Sequence, residues 1–178
     1  VGGVGVTLQD LVQLYSGIQR LGTTLPLREI IRGNDDQRDP LRLMDQAAAW
    51  QVGNVLMGTP PPENAPQHRI AFKTGTSYGY RDAWSVGFDG RITIGVWVGR
   101  PDGAPVPGLV GRTAAAPILF DAFARTGKLP MPLPRPPKGV LIASNARLPL
   151  PLRRFRPVGE LVRSGGDQAP HIQFPLNG

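Results

Sequence analysis

The segment AFKTGTSYGY, residues 71–80, places a lysine, two threonines and a glycine at the end of an apolar run. Apolar residues alternate with other residues on the way into this segment, and a repeat of two predicts a β-strand. In a strand that ends at Lys73, Thr74, Gly75 and Thr76, the two threonines project from the same face. Two hydroxyls so placed can donate to both oxygens of one carboxylate. The segment therefore predicts a strand whose end binds an anion.

Lys73 adds a positive charge to the two hydroxyls. It projects from the other face of a regular strand, but its four-carbon side chain can bring the ammonium group into the same cleft. Gly75 has no side chain, so a ligand backbone can approach closely, and the N–H of Thr76 can point at a developing oxyanion. Together these groups suit a substrate with a terminal carboxylate beside a reacting carbonyl. The alternative is an exposed strand lysine followed by a glycine bulge.

Two further strands are expected after this segment. Residues 82–88, DAWSVGF, and residues 91–99, RITIGVWVG, alternate apolar residues with small or polar ones. Asp89 and Gly90 between them are typical of a tight hairpin, because glycine accepts a positive φ. We therefore predict three antiparallel strands within residues 69–99. Both faces of this sheet are apolar or small, so both must be covered.

Helices are expected to provide that cover. Residues 7–21 carry one apolar stripe at helical spacing, with Thr7 and Asp10 as an N-terminal capping pair. Residues 113–127 predict another helix, with Thr113 as its cap. The expected fold class is therefore α+β, with an antiparallel sheet covered by helices.

A further helix is predicted between these two, at residues 40–57. Asp39 is a suitable N-cap for it, and Pro40 suits the first helical position. Its apolar residues recur at helical spacing and predict the buried face: Leu41, Met44, Ala48, Val52, Val55 and Leu56.

Composition divides the chain into two parts. Residues 1–128 hold all of these elements and are expected to form one domain. Residues 130–178 contain seven Lys or Arg residues against two acidic ones, so they carry a net charge of +5 out of +7 for the chain. We predict that residues 129–178 are a basic, proline-rich linker leading to a further domain, which begins with a strand at residues 171–178, HIQFPLNG.

Several kinds of site are poorly supported by the composition. Cysteine is absent, which excludes disulfides, thiolate metal sites and a cysteine nucleophile. The only histidines, His68 and His171, lie far apart in the sequence and give little support to a zinc site or a Ser-His-Asp triad. We expect no metal and no cofactor. No apolar run reaches the roughly 18 residues of a membrane span, and any anchor or export signal is expected upstream.

A family resemblance extends over residues 1–128. It rests mainly on residues 72–123, FKTGTSYGYRDAWSVGFDGRITIGVWVGRPDGAPVPGLVGRTAAAPILFDAF, with further similarity in GGVGVTLQDLVQLYSGIQRLG and AAAWQVGNVLMGTPPP. These stretches resemble the C-terminal part of the transpeptidase domain of class A penicillin-binding proteins, the bifunctional peptidoglycan synthases, of the 1C type. The resemblance implies a serine β-lactamase/transpeptidase-like fold, of which this chain holds a part.

The resemblance also implies a function. Members of this family are serine D,D-transpeptidases that cross-link peptidoglycan stem peptides ending in D-Ala-D-Ala, and they bind penicillin and other β-lactams. For the parent protein it implies a glycosyltransferase as well, and a location on the periplasmic side of the inner membrane. In the family's K-T-G signature, Lys73 would act catalytically through its charge. Thr74, Gly75 and Thr76 would bind the substrate, and the Thr76 N–H would form half of the oxyanion hole.

Two of the three family signatures, S-x-x-K with the nucleophilic serine and S-x-N, are missing. None of the chain's serines begins either motif: Ser16, Ser77, Ser85, Ser144 and Ser164. We therefore expect the nucleophile to lie outside this chain, and the chain alone to form no acyl-enzyme. The missing upstream half of the domain, or a second copy of the chain, is expected to cover apolar surface that is left open.

The basic tail offers a second class of function. Residues 148–157, LPLPLRRFRP, combine arginines with Phe155 and can contact an anionic membrane surface or nucleic acid. The simpler interpretation is a linker whose arginines stay solvated, and we expect no nucleic-acid partner. A chain without its nucleophile can also be a non-catalytic interaction module.

Six residues near the K-T-G signature have two interpretations each. Four residues either shape the rim of the cleft or simply form the turn into the next strand, which we favour: Tyr78, Tyr80, Arg81 and Asp82. Trp84 and Trp97 lie on predicted strands, and we expect them in the core rather than as platforms for a ligand.

Overall fold

The computed structural model describes residues 5–28, 39–63, 65, 69–144 and 147–152. Some predicted features lie outside these ranges: His68, the arginines at 153, 154 and 156, and the terminal strand at residues 171–178.

The chain divides into two compact units, Val1–Val140 and Leu141–Gly178. All of the α-helices and strands that the structure describes belong to the first unit. The described part of the second unit contains a short 3-10 turn, Leu150–Leu152, and a hydrogen bond from the backbone N–H of Arg147 to the carbonyl of Ser144.

Helix α1 spans Leu8–Gln19, and its predicted capping pair is confirmed. The Thr7 hydroxyl accepts from the Asp10 N–H at 3.1 Å, and the Asp10 carboxylate accepts from the Thr7 N–H at 3.3 Å. Each side chain thus satisfies a backbone donor that the helix end leaves without a partner. Gly22 follows the helix at φ 93°, and a Cβ there would lie 2.3 Å from the Met44 carbonyl oxygen.

Helix α2 spans Gln46–Met57, so the predicted start at Asp39 and Pro40 is wrong. Asp45 is the actual N-cap, and its carboxylate accepts from the Ala47 N–H at 2.7 Å. The residues before it take part in a two-stranded sheet instead, in which β1, Thr23–Thr24, pairs antiparallel with β2, Leu41–Arg42.

The predicted buried face of α2 is also wrong in most positions. Val52 and Val55 are 40% and 73% exposed, whereas the buried residues are Ala49 and Gly53. Gly53 faces the sheet, because a Cβ added there would be in ordinary van der Waals contact with the ring of Phe88, at 3.7 Å. The helix therefore approaches the sheet through its smallest residues rather than through its branched ones.

The three predicted strands form one antiparallel sheet in the order β3-β4-β5. Strand β3 spans Ala71–Thr76, β4 spans Asp82–Phe88 and β5 spans Thr93–Gly99. In the β4–β5 hairpin Gly90 does not have the positive φ that was expected. It is needed for space, because a Cβ there would lie 2.2 Å from the carbonyl oxygen of Pro132.

The last helix begins earlier than predicted, with a π-helical turn over Gly111–Ala115 that runs into α3, Ala116–Arg125. The Thr113 hydroxyl lies 3.3 Å from the Val110 carbonyl and does not cap the helix. Gly111 is required at the start of the turn, since a Cβ there would come within 2.3 Å of the carbonyl oxygen of Gly75.

Helices cover both faces of the sheet, as predicted. Residues on α3 and one sheet face form the larger buried cluster: Ile70, Phe72, Ala116, Leu119, Phe120 and Phe123. On the other face, Ile18 of α1 packs with Ala71 and Phe88, and Tyr15 and Leu56 border this second cluster. The three layers leave the end of β3 open, where the K-T-G signature lies.

A proline-rich segment, residues 130–134, packs against the β4–β5 hairpin and α2. The Gly90 N–H donates to the Met131 carbonyl at 2.7 Å, and the Met131 N–H donates to the Asp89 carboxylate at 3.0 Å. The indole N–H of Trp50 donates to the Pro134 carbonyl at 2.9 Å. This part of the predicted linker therefore contributes to the first unit.

Candidate active site

A cleft of about 500 Å³ lies between α1 and the ends of β3 and β4. It is lined from the α1 side by Gly5, Val6, Leu11 and Tyr15, from β3 by Lys73, Thr74, Gly75, Thr76 and Ser77, and from β4 by Asp82, Trp84 and Val86. The structure therefore brings together, in one cleft, all four residues that the sequence singled out.

Lys73 is exposed at the rim of this cleft. Its ammonium group donates to the carbonyl oxygen of Thr74 at 2.6 Å, which holds the charge close to the end of the strand. Within the part of the chain that the structure describes, no carboxylate forms an ion pair with Lys73. The positive charge is therefore not neutralised by a described neighbour, and it is accessible to an anion.

The two threonines occupy positions of the same parity on β3, opposite Ser85 and Ala83 of β4. The Thr76 hydroxyl accepts a hydrogen bond from the Gly111 N–H at 3.0 Å, which fixes its orientation. A hydroxyl donates one hydrogen bond and accepts up to two, so this contact leaves the Thr76 proton available for a ligand. Thr74 is half-buried in the wall of the cleft.

Gly75 is not required by the packing of the fold. A Cβ added there would lie 3.6 Å from Cβ of Trp84, which is an ordinary van der Waals distance. Gly75 pairs with Trp84 across the sheet, and both residues line the cleft. The absence of a side chain at this position therefore widens the cleft instead of relieving a clash.

The apolar floor of the cleft was not predicted from the sequence. Tyr15, Trp84 and Val86 provide it, and they come from segments about 70 residues apart in the chain. Trp84, which was expected in the core, is half-buried here, with its ring centroid 6.2 Å from that of Trp97. Tyr15, which lies within the apolar stripe of α1, is the one sequence signal that could have indicated this apolar floor.

Two polar side chains at the cleft, Tyr15 and Asp82, differ in what they offer to a ligand. Burial raises the pKa of the Tyr15 hydroxyl above its ordinary value, so at neutral pH this group stays protonated and can donate a hydrogen bond. The Asp82 carboxylate accepts from the indole N–H of Trp97 at 2.8 Å. Asp82 thus positions Trp97 from the edge of the cleft.

Ser77 is the described serine that lines the cleft. Its hydroxyl accepts from the Asp82 N–H at 2.8 Å and closes the turn between β3 and β4. The described hydrogen bonds give this hydroxyl no general base, and Ser77 does not begin an S-x-x-K motif.

In the described ranges, no group of three or more His, Cys, Asp or Glu side chains could hold a metal ion. None of the helices in the same ranges is long and apolar enough to cross a membrane.

Sequence comparison connects this cleft to known proteins. No protein-family model matches the chain. Penicillin-binding protein 1C of Escherichia coli strain K12 is 39% identical over 144 residues, which cover 76% of this chain and 18% of that protein. Penicillin-binding protein 1B of Vibrio cholerae is 30% identical over 151 residues, or 75% of this chain and 19% of that one. The chain thus spans about a fifth of the length of these curated relatives.

Solved structures share the fold. The transpeptidase domain of Burkholderia pseudomallei penicillin-binding protein 3 superposes with a TM-score of 0.57 at 22% identity, over 74% of this chain and 46% of that one. Penicillin-binding protein A of Mycobacterium tuberculosis, solved as an imipenem acyl-enzyme complex, gives 0.55 at 20% identity, over 72% and 33%. The chain is therefore a relative of the penicillin-binding proteins, of the 1C type, and has part of their transpeptidase fold.

Proposed function

We propose that this chain is the C-terminal part of a peptidoglycan D,D-transpeptidase domain, and that its cleft binds the terminal carboxylate of a stem peptide or a β-lactam. The observation that carries the proposal is that Lys73, Thr74, Gly75 and Thr76 all line one open cleft. The relatives' names, which are those of penicillin-binding proteins, support it.

We propose the following roles, which the position of β3 at the edge of its sheet supports. The ammonium group of Lys73 supplies a positive field at the strand end, and the hydroxyls of Thr74 and Thr76 donate to the two carboxylate oxygens. The backbone N–H of Thr76 stabilises the oxyanion that develops on the neighbouring carbonyl. Gly75 leaves room for the peptide to lie against Trp84.

The apolar floor completes this binding site. Tyr15, Trp84 and Val86 exclude water from beneath the bound peptide, and electrostatic contacts become stronger where water is excluded. The protonated hydroxyl of Tyr15 adds a donor on the side of α1.

The covalent step needs residues that this chain does not contain. In the proposed reaction a serine attacks the carbonyl between the two D-alanines, and the terminal D-alanine leaves. The amine of a neighbouring stem peptide then takes up the acyl group. The nucleophile and its lysine base would come from the upstream half of the domain, in a parent protein that acts on the periplasmic side of the inner membrane and also carries a glycosyltransferase.

Labelling with a fluorescent penicillin tests whether the covalent step needs residues from outside this chain. We expect no covalent label on the chain alone, because none of its serines begins an S-x-x-K motif, and a label once an upstream fragment with S-x-x-K is added. Covalent labelling of the chain alone would contradict the proposal.

Non-covalent binding tests the role of Lys73. We expect Lys73→Met to weaken binding of acetyl-D-Ala-D-Ala by about tenfold or more, since a charge-assisted contact is lost. Lys128→Met is the matched control, because Lys128 is also exposed but lies beyond α3. Equal affinities of the two variants, measured by NMR titration, would argue against the role of Lys73.

The possible second copy of the chain stays a separate prediction. Exposed valines on α2, Val52 and Val55, are apolar surface that a second copy or the upstream half could cover. A monomer in small-angle scattering would count against the second copy.

The alternative function, an interaction module whose basic tail contacts an anionic membrane or nucleic acid, also stays a prediction. The arginines that would make the contact lie outside the described residues. Retention on anionic vesicles and on heparin, with and without residues 130–178, separates it from a solvated linker.

A further inference from the structure

A buried serine lies opposite one of the two threonines of the cleft. Ser85 is 0% exposed, and its hydroxyl makes no hydrogen bond with any of the residues that the structure describes. A hydroxyl that loses its contact with water and gains no partner lowers the stability of the fold, and such groups are uncommon in folded proteins. Packing alone therefore does not account for a serine at this position, where an alanine would fit.

The register of the sheet places Ser85 beside Thr74. Ser85 pairs with Thr74 of β3 on one side and with Val96 of β5 on the other, so the three side chains share the face that α3 covers. Opposite side chains of an antiparallel pair have Cβ atoms about 4.5–5.5 Å apart, and serine and threonine hydroxyls in such pairs form hydrogen bonds. Of the two neighbours only Thr74 is polar, and the Ser85 oxygen changes its direction by rotation about a single bond.

The other threonine of the cleft, Thr76, shows what a hydrogen bond from the fold does to such a hydroxyl. The Thr76 oxygen accepts from the Gly111 N–H at 3.0 Å. Because this donor occupies an acceptor position of the oxygen, the Thr76 proton is left for another acceptor. The described side-chain hydrogen bonds give the Thr74 hydroxyl no such donor, although the Thr74 carbonyl accepts from Lys73 at 2.6 Å. The neighbouring Ser85 hydroxyl is placed to supply it.

We propose that Ser85 is a positioning residue for Thr74, whose oxygen accepts from the Ser85 hydroxyl when a peptide carboxylate occupies the cleft. This inference rests on the proposed function, in which Thr74 donates to that carboxylate. With Ser85 as the donor to Thr74 and Gly111 as the donor to Thr76, both threonine protons are left for the two carboxylate oxygens. The hydrogen bond that Ser85 lacks in the free chain is thus gained on binding, and Ser85 itself does not touch the ligand.

The variant Ser85→Ala separates this role from a purely structural one. Its melting temperature should equal or exceed that of the unsubstituted chain, because the hydroxyl that is removed has no partner among the described residues. Its affinity for acetyl-D-Ala-D-Ala should be about fivefold weaker, since one hydrogen bond to Thr74 is lost. Thermal unfolding and NMR titration measure the two quantities. An unchanged affinity would overturn the inference, and so would a lower melting temperature, which would show that the hydroxyl already has a partner in the free chain.

A double-mutant cycle with Thr74→Val tests whether Ser85 acts through Thr74. Thr74→Val alone should weaken the binding of acetyl-D-Ala-D-Ala, because valine keeps the shape of the side chain but removes a donor to the carboxylate. In the Thr74→Val background, Ser85→Ala should cause no further loss of affinity, since the two hydroxyls act as one unit. An equal loss of affinity on Ser85→Ala in both backgrounds would overturn the inference.

Thr93 provides the matched control. Its hydroxyl oxygen is also buried and without a hydrogen-bond partner in the described part of the chain, but it lies opposite Phe88 at the hairpin end of the sheet. Thr93→Val should therefore leave the affinity for acetyl-D-Ala-D-Ala unchanged. A loss of affinity in Thr93→Val as large as that in Ser85→Ala would overturn the inference, because the effect would not depend on Thr74. The proposed function fails separately, if binding of the peptide does not depend on Lys73.

Discussion

The two ends of the sheet use their charged side chains in opposite ways. At the hairpin end, Asp89 is 4% exposed, and its carboxylate accepts three backbone N–H groups, from Arg91, Ile92 and Met131, at 2.7, 2.7 and 3.0 Å. At the cleft end, Lys73 is exposed, and its ammonium donates to the carbonyl of Thr74. A buried charge with every partner supplied by the chain holds segments together, whereas an exposed charge beside a cleft is available to a ligand.

Removal of Asp89 should give the largest effect. We expect Asp89→Ala to lower the free energy of unfolding by about 3–5 kcal/mol, because three backbone donors lose their acceptor. The hairpin and the segment at residues 130–134 should loosen together, since Asp89 joins them. Urea denaturation measures the loss, and hydrogen exchange locates it.

Two other variants serve as controls for that experiment. Asp121→Ala removes an exposed carboxylate from α3, and Lys73→Met removes the charge at the cleft. Both should change the stability by less than about 0.5 kcal/mol. If Asp89→Ala were as mild as either of them, the contrast between the two ends of the sheet would be wrong.

Two glycines, Gly111 and Gly75, give a second comparison between a position that the packing requires and a position that lines the cleft. Gly111→Ala would place a Cβ 2.3 Å from the Gly75 carbonyl oxygen, and we expect it to cost about 2–3 kcal/mol of stability. Gly75→Ala meets only ordinary contacts with Trp84, so its stability should change little, while its new methyl group narrows the cleft. Thermal unfolding and acetyl-D-Ala-D-Ala binding should both be measured on the two variants. Gly111→Ala should lose stability, and Gly75→Ala should lose affinity for the peptide. Equal destabilisation by the two variants would contradict this division.

The smallest effect concerns an exposed ion pair. The Arg100 guanidinium hydrogen-bonds the Asp102 carboxylate at 2.6 Å and, with help from the Ala104 N–H, lowers the pKa of Asp102 from 3.8 to about 2. Because the pKa is lowered in the folded state, the pair contributes above pH 4 and its contribution is lost as the pH falls through about 2. Both side chains are more than half exposed, so little stability should follow.

An NMR titration of the Asp102 carboxyl carbon checks this value. Arg100→Gln should move its midpoint up towards 3.8. A midpoint that does not move would show that Arg100 is not the cause.

Local signals in the sequence were sufficient for the strands and for the cap of α1. The alternation over residues 69–99 and the pairing of Thr7 with Asp10 depend on near neighbours in the chain, and both are confirmed. The start of α2 was ambiguous, because Asp39 and Asp45 are equally good N-caps. The choice is made by β1, which pairs with residues 41–42 and removes them from the helix.

The cleft could be predicted only in part. The four residues at the end of β3 are adjacent in sequence, so their common position follows from the strand itself. The floor depends on how α1 packs against β4, which brings Tyr15 near Trp84 and Val86, and no local pattern contains that information. The roles of Lys73 and Thr76 in binding and catalysis stay predictions.

The most direct test of the central claim compares acetyl-D-Ala-D-Ala with its C-terminal amide in an NMR titration of the chain. If the end of β3 binds the terminal carboxylate, the free acid should shift the backbone amide signals of residues 73–77, and the uncharged amide should leave them in place. Equal shifts from both compounds, or none from the acid, would contradict the account.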